Sequence, residues 1–345
     1  MSRKSALRRH PRFGLILSSL IGITIAHADD FKSEAALPEP EATPVVIDRT
    51  DITRKLQFLV YYPHQNEFVF TANTQAPIDA KSTTTDSLGI QTKSSSTNYS
   101  QLTLALAAAL DDRYRVGLSA TELFSQTTVT NDRITSTTNT DKANGPSCPQ
   151  FSFTYRAVNN RANNIFADIS FSFIPQMAIH KAATANQVGD NWATSWSTSL
   201  NFPFYWVHRR HEFEIEPQAT YHFSGESQGP SLVSTFELSD YWTGALLFAD
   251  RYHITSLMHI EPMLTLNFPN RSNITNLNTN IDTNTSNSLQ LIYQIQLGYL
   301  LNKVWLVNLT VAYSSGTRTV TPSNASPSEV DTKSTLATLG TRFAF

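Results

Sequence analysis

Across residues 211–223 the chain spells two faces at once. Phe213, Ile215, Ala219, Tyr221 and Phe223 alternate with Glu212, Glu214, Glu216, Gln218, Thr220 and His222, and every acid falls on the same side. Side chains of a strand point alternately to its two faces, so this is a strand with one apolar and one hydrated face. The pattern recurs in Phe68, Phe70 and Ala72, and in Leu102, Leu104, Leu106, Ala108 and Leu110. It returns in Tyr114, Val116, Leu118 and Ala120, in Phe151, Phe153, Tyr155 and Ala157, and in Ala167, Ile169, Phe171 and Phe173. Later strands are expected at 192–204, at 232–248 as one long strand, and at 252–268, 289–299, 305–313 and 336–345. These runs approach the ~9–11 residues that a tilted strand needs to cross a bilayer, beyond the ~5–6 usual in a soluble sandwich. No segment after the N-terminus has the ~18 consecutive apolar residues of a transmembrane helix. The expected fold is all-β, a transmembrane antiparallel β-barrel of about twelve strands over 67–345.

The spacing between strands supports this. Segments 76–97, 125–149, 175–190, 269–287 and 316–331 are long and rich in Ser, Thr and Asn, whereas 111–112, 159–164, 205–210, 249–251 and 301–303 are short. Long extracellular loops with short periplasmic turns are the layout of bacterial barrels. Tyr114, Trp192, Tyr205, Trp206, Trp242, Tyr299 and Trp305 stand near strand ends, where interfacial girdles belong. Pro217 and Pro262 occur in parallel Ile-Glu-Pro runs and are expected to mark bulges, since proline withdraws a ladder hydrogen bond. A mean hydropathy of -0.25 fits a barrel in which only alternate residues face lipid.

The N-terminus adds a destination. Arg3, Lys4, Arg8, Arg9 and Arg12 precede an apolar run at 13–25 and Ala26-His27-Ala28, so 1–28 reads as a cleaved secretory signal. The whole chain carries a net charge of -2, and removing five basic residues and no acids with that leader leaves -7. That balance argues against nucleic acid as a partner. Residues 29–66 contain Pro38, Pro40 and Pro44 and one apolar patch, Leu56 to Tyr62. They read as a periplasmic N-terminal segment, or as a plug tucked into the barrel. Cys148 is the only cysteine, expected in a surface loop, so no internal disulfide is available. The amphipathic ending Leu339, Thr341, Phe343, Phe345 resembles the closing strand of bacterial outer-membrane β-barrels. The resemblance implies outer-membrane lipid as the surroundings and recognition of the Phe345 strand by the barrel-assembly machinery.

With the alternation extended inward, Glu216, Glu237 and Glu261 line the lumen at similar depth on three neighbouring strands, with Glu214 and His259 nearby. Arg115, Arg156 and Arg342 line it from elsewhere, with Asp168 beside Arg156. Acids facing bases across a narrow lumen set up a transverse field that orients solutes, as in general porins; the same charges can equally pair and fill a small interior. The function expected is a passive channel or transporter of small solutes, with no cofactor. The histidines are scattered without metal-ligand spacing. Two other classes remain open. Long polar loops suit a surface contact or adhesin role, and His253 with Ser256 would be the start of a barrel lipid hydrolase, though no third partner is evident. Finally, the hairpin Leu102-Thr103-Leu104-Ala105-Leu106 through Asp111-Asp112-Arg113-Tyr114-Arg115-Val116 resembles outer-membrane proteins grouped under the phenol-degradation meta-pathway. That resemblance implies uptake of a small organic solute and carries no binding residue.

Overall fold

The computed structural model describes residues 56–63, 65–177, 180–181, 195–228 and 234–345. The leader at 1–28, most of the segment 29–66 and Trp192 lie outside the described residues. Twelve staves form a closed antiparallel barrel. They are β1 (Phe68–Thr85), β2 (Gln91–Ala109), β3 (Tyr114–Asp132), β4 (Gln150–Asn160), β5 (Ile165–Ile174) and β6, which is broken into Ser195–Asn201 and Phe204–His208. Then follow β7 (His211–Gln228), β8 (Tyr241–His253), β9 (Met258–Asn267), β10 (Gln290–Asn302), β11 (Trp305–Pro322) and β12 (Ser328–Ala344). Each stave pairs with its neighbour in sequence. β1 closes the ring on β12, from Val69 opposite Ala344 to Thr85 opposite Glu329. Phe68 and Phe345 exchange both backbone hydrogen bonds, at 2.8 and 2.9 Å, and their rings stack at 5.9 Å. Closure leaves no edge strand with unpaired backbone groups, the condition for a sheet in hydrocarbon.

The outward face is apolar. Leu104, Leu106, Val116, Leu118, Phe151, Phe171, Ile215, Ile295, Leu309 and Val311 are all exposed. The inward face is small or polar, and buried Thr154, Asp168, Ser195, Ser197 and Glu212 belong to it. Aromatic clusters bracket the outer belt. Trp206 stacks on Phe213 near the short turns, and Tyr221 meets Trp242 at the other end. Tyr205 is a correction to the expected girdle: it turns inward and packs against buried Phe58, Val60, Phe166 and Val207.

The long connections are also corrected. Much of 76–97, 125–149, 269–287 and 316–331 is strand, because β1, β2 and β3 run 18 to 19 residues, and further hairpin strands form at Thr137–Pro146, Asn270–Asn276 and Ile281–Asn287. Above the apolar belt both faces of a strand meet water, so no period-two signal marks it. Hydroxyl pairs across neighbouring strands, Ser95 with Thr130 and Thr97 with Thr128, knit the extension instead.

The expected strand 232–248 is two pieces, Thr235–Leu238 and β8, separated where Asp240 accepts hydrogen bonds from the Ser224 amide and the Tyr221 hydroxyl. The short turn expected at 249–251 lies instead at 254–257, closed by the Thr255 hydroxyl accepting from the Leu257 and Met258 amides. Pro217 and Pro262 cause no bulge: the register runs through both without a shift. Each falls where pairing on one side lapses, Pro217 beside the break in β6 and Pro262 where β8–β9 pairing skips two residues. Cys148 is buried rather than set in a surface loop.

Candidate functional site

The short-turn end of the lumen is filled by the chain itself. Residues 56–63 enter the barrel and are almost wholly buried, with Val60 at 0% exposure and Leu56 at 1%. Two apolar contacts seat them. Phe58 and Val60 pack on Phe166 of β5 and Val207 of β6. Leu56 and Tyr61 pack on Val69, Leu300, Leu306 and Ala344, so one segment touches staves from both sides of the closure.

Polar wall groups then reach the segment's backbone. The Arg156 guanidinium donates to the Val60 carbonyl at 3.0 Å, and Arg251 donates to the Gln57 carbonyl at 2.6 Å. The Leu59 amide donates to Glu212 Oε2 at 2.8 Å. The segment turns on itself, with the Tyr61 amide donating to the Phe58 carbonyl at 3.2 Å, but it joins no strand ladder, so its remaining buried amides and carbonyls need such partners. Two tyrosine rings complete the seat. Arg156 lies 4.5 Å and Arg115 5.5 Å from the Tyr62 ring, and Arg342 lies 5.6 Å from the Tyr61 ring. Burial pushes the Tyr62 phenol up to about 12, so it remains a neutral ring beneath these cations.

The wall charges are themselves paired. Arg156 forms a two-pronged bond with Asp168, at 2.8 and 3.0 Å. Arg251 bonds Glu261 Oε2 at 2.8 and 2.5 Å, and Gln296 adds a third donor to that oxygen at 3.2 Å. His253 meets Glu212 at 2.5 Å, and its ring lies 4.6 Å from Phe58. The His259 ring is fully buried and lies over Gly298, where a Cβ would overlap the imidazole.

The structure therefore brings most of the expected lumen residues to one level. Glu261, His259, Arg156 and Asp168 sit in the paired layer around the plug. Arg115 and Arg342 flank it over the tyrosine rings. Glu214 is buried on β7 just above, and Glu216 accepts from Gln218 at 2.8 Å. In stave order Glu214 and Glu216 on β7 lie five staves from Arg342 on β12 and four from Arg115 on β3. Glu237 does not join them. It is exposed on Thr235–Leu238 opposite Glu226, ten residues along β7 from Glu216, or about 33 Å of strand at ~3.3 Å per residue. Ser256 sits in the turn, where its carbonyl accepts from Gln57 Nε2 at 3.4 Å, and His253 is engaged by Glu212 and Phe58.

Sequence reading missed Arg251, because a turn was expected there, and with it the partner of Glu261. It also missed Glu212 and His253 as seats for the plug. The signal for Glu212 was present, since it shares the face of Glu214 and Glu216.

Above this layer the lumen opens. A cavity of about 500 Å³ is lined by Gln218, Thr220, Thr243, Asn267, Gln290 and their neighbours. The arrangement combines a cavity lined mainly by polar side chains with a chain segment, 56–63, packed into the short-turn end of the lumen.

No family model matches the chain, and no curated protein matches it. Solved structures do. The chain is similar to an outer membrane channel from Pseudomonas putida F1 at 10% identity and a TM-score of 0.54, covering 82% of this chain and 97% of that one. It is similar to the transport unit of the autotransporter AIDA-I from Escherichia coli at 11% identity and a TM-score of 0.51, covering 86% and 97%. At these identities the likeness is one of fold: this chain is a closed twelve-stranded β-barrel of the kind found in bacterial outer-membrane proteins.

Proposed function

We propose that this protein is an outer-membrane channel for the passive passage of small solutes, held shut at its periplasmic end by residues 56–63. The single observation that carries the reading is the contrast along the lumen. A polar cavity of about 500 Å³ lies above a plug that fills the bottom through apolar packing and hydrogen bonds rather than by continuing the wall. A barrel built only for rigidity would fill its interior with wall side chains. The lumen candidates Glu214, Glu216, Glu261, His259, Arg115, Arg156, Asp168 and Arg342 act in this reading as the charged ring through which solutes pass once the plug leaves. Residues 1–28 act as the leader that delivers the chain, and Phe345 as the terminal residue recognised during assembly.

The test is planar-bilayer recording of the folded full chain against a variant lacking residues 29–66. The variant is expected to show stepwise, sustained current, with a reversal potential that shifts in a salt gradient. The full chain is expected to be closed for most of the record. Silence from both would overturn the reading.

The strand extensions favour one additional role. Hairpins such as Thr137–Pro146 and Ile281–Asn287 carry exposed Ser, Thr and Asn above the aromatic belt. Removing 125–149 and scoring adhesion and conductance separately distinguishes a surface contact role from transport.

A further inference from the structure

We infer that the outer cavity is a solute-binding site for a small hydroxylated carboxylate, with Arg318 as its anion anchor. This deepens the channel reading and rests on it. Among the described residues that line the cavity, Arg318 is the only ionic side chain, with no Asp or Glu beside it in that lining. Among the described residues Arg318 makes no ion pair, unlike the buried Arg156 and Arg251 lower in the lumen. Its neighbours' acids are turned elsewhere. Asp331 on β12 is bonded to the Thr317 hydroxyl, one residue and therefore one face away from Arg318. An unpaired guanidinium in a partly enclosed polar site is a fork of donors that matches the two oxygens of a carboxylate.

The surroundings select what the carboxylate is attached to. Arg318 is in register with Asn287, and Asn287 is in register with Asn270. Asn287 donates an amide hydrogen bond to Asn270, and Asn267 donates to Gln290 Oε1 at 2.9 Å. Each amide pair spends one donor group and one acceptor, leaving an NH₂ on one side chain and a carbonyl oxygen on the other. A hydroxyl group is both donor and acceptor, and it complements such leftover groups as a purely apolar or purely anionic solute does not. Thr220, Thr243 and Thr332 extend the same chemistry around the rim. About 500 Å³ accommodates a six-carbon solute with several waters.

The inference is tested by calorimetric titration of the folded full chain in detergent, with gluconate as the probe, glucose as the uncharged control and acetate as the charge-only control. Gluconate is expected to bind at least about tenfold more tightly than either control, since one charge-assisted contact is worth about a tenfold change. Arg318→Gln should abolish that advantage, and Arg318→Lys should retain part of it. Arg318 is exposed, so neither variant disturbs the barrel. Equal binding of glucose and gluconate, unchanged binding in Arg318→Gln, or no binding of gluconate would each overturn the inference. The titration needs no open channel, so its failure is distinct from silence in bilayer recordings.

Discussion

Replacing Phe58 by alanine isolates the packing that, on the channel reading, holds the lumen shut. Phe58 is 4% exposed, packed on Phe166 and Val207 and lying 4.6 Å from the His253 ring. Truncating a buried Phe to Ala costs about 3–5 kcal/mol. The substitution leaves untouched the bonds from Arg156, Arg251 and Glu212, because all three engage backbone atoms of the segment. It also leaves the wall intact, since Phe58 belongs to no stave. The whole cost therefore falls on the equilibrium between seated and released plug. At about 1.4 kcal/mol per tenfold, the open-to-closed ratio should rise by two to nearly four orders of magnitude, about 10²–10⁴. Single-channel recording gives that ratio from dwell times, and heat-modifiable mobility on gels confirms that the barrel is folded. Unchanged dwell times in a folded Phe58→Ala barrel would refute the idea that this ring closes the channel. So would a rise in current that occurs equally when an exposed residue such as Leu88 is replaced.

Three other perturbations follow from the same contacts. Arg156→Ala strands the buried Asp168 carboxylate and should lower stability by about 3–5 kcal/mol in denaturant unfolding, whereas the double replacement Arg156→Leu with Asp168→Leu should recover much of the loss. Gly298→Ala drives a methyl group into the His259 ring and should cost about 1–3 kcal/mol in the same assay, relieved when His259→Ala is added. Deleting Phe345 removes both terminal hydrogen bonds to Phe68 and one ring stack, and should reduce the folded fraction of newly made protein in membranes; an unchanged yield would mean that closure of β1 on β12 does not depend on its last residue.

The barrel itself was legible because lipid on one side and water on the other impose a period of two. The stave count, the direction of each face and the pairing of Phe68 with the chain's end all follow from that alternation. Where the constraint lapses, legibility lapses with it. The Ser- and Thr-rich stretches of β1, β2 and β3 above the belt meet water on both faces, so their strands read as loops. The turn at 254–257 was misplaced because Asp250-Arg251 resembles a polar turn, whereas Arg251 is a luminal residue held by Glu261. Glu237 was placed beside Glu216 by counting along an unbroken strand, and the interruption at Asp240 moves it far up the barrel.

The plug was the hardest feature to read, for a physical reason. The polar wall groups Arg156, Arg251 and Glu212 reach its main chain, and main-chain groups are common to every sequence. Only the apolar side chains Leu56, Phe58 and Val60 and the two tyrosines mark it, and a similar apolar patch could equally form one more strand. The acids and bases of the lumen carried the complementary ambiguity, between a field that acts on solutes and pairs that fill space. In the folded chain these alternatives converge on the same atoms. Glu212, Arg156 and Arg251 bond the plug, while Arg115 and Arg342 cover its tyrosines. When residues 56–63 leave, each of those groups loses a protein partner and must be solvated again. On the channel reading proposed above, the ring that seats the plug is then a hydrated charged constriction that includes Glu214, Glu216, Arg342 and Arg115. On that reading closure and selectivity draw on one set of side chains, and a substitution that alters either property should alter the other.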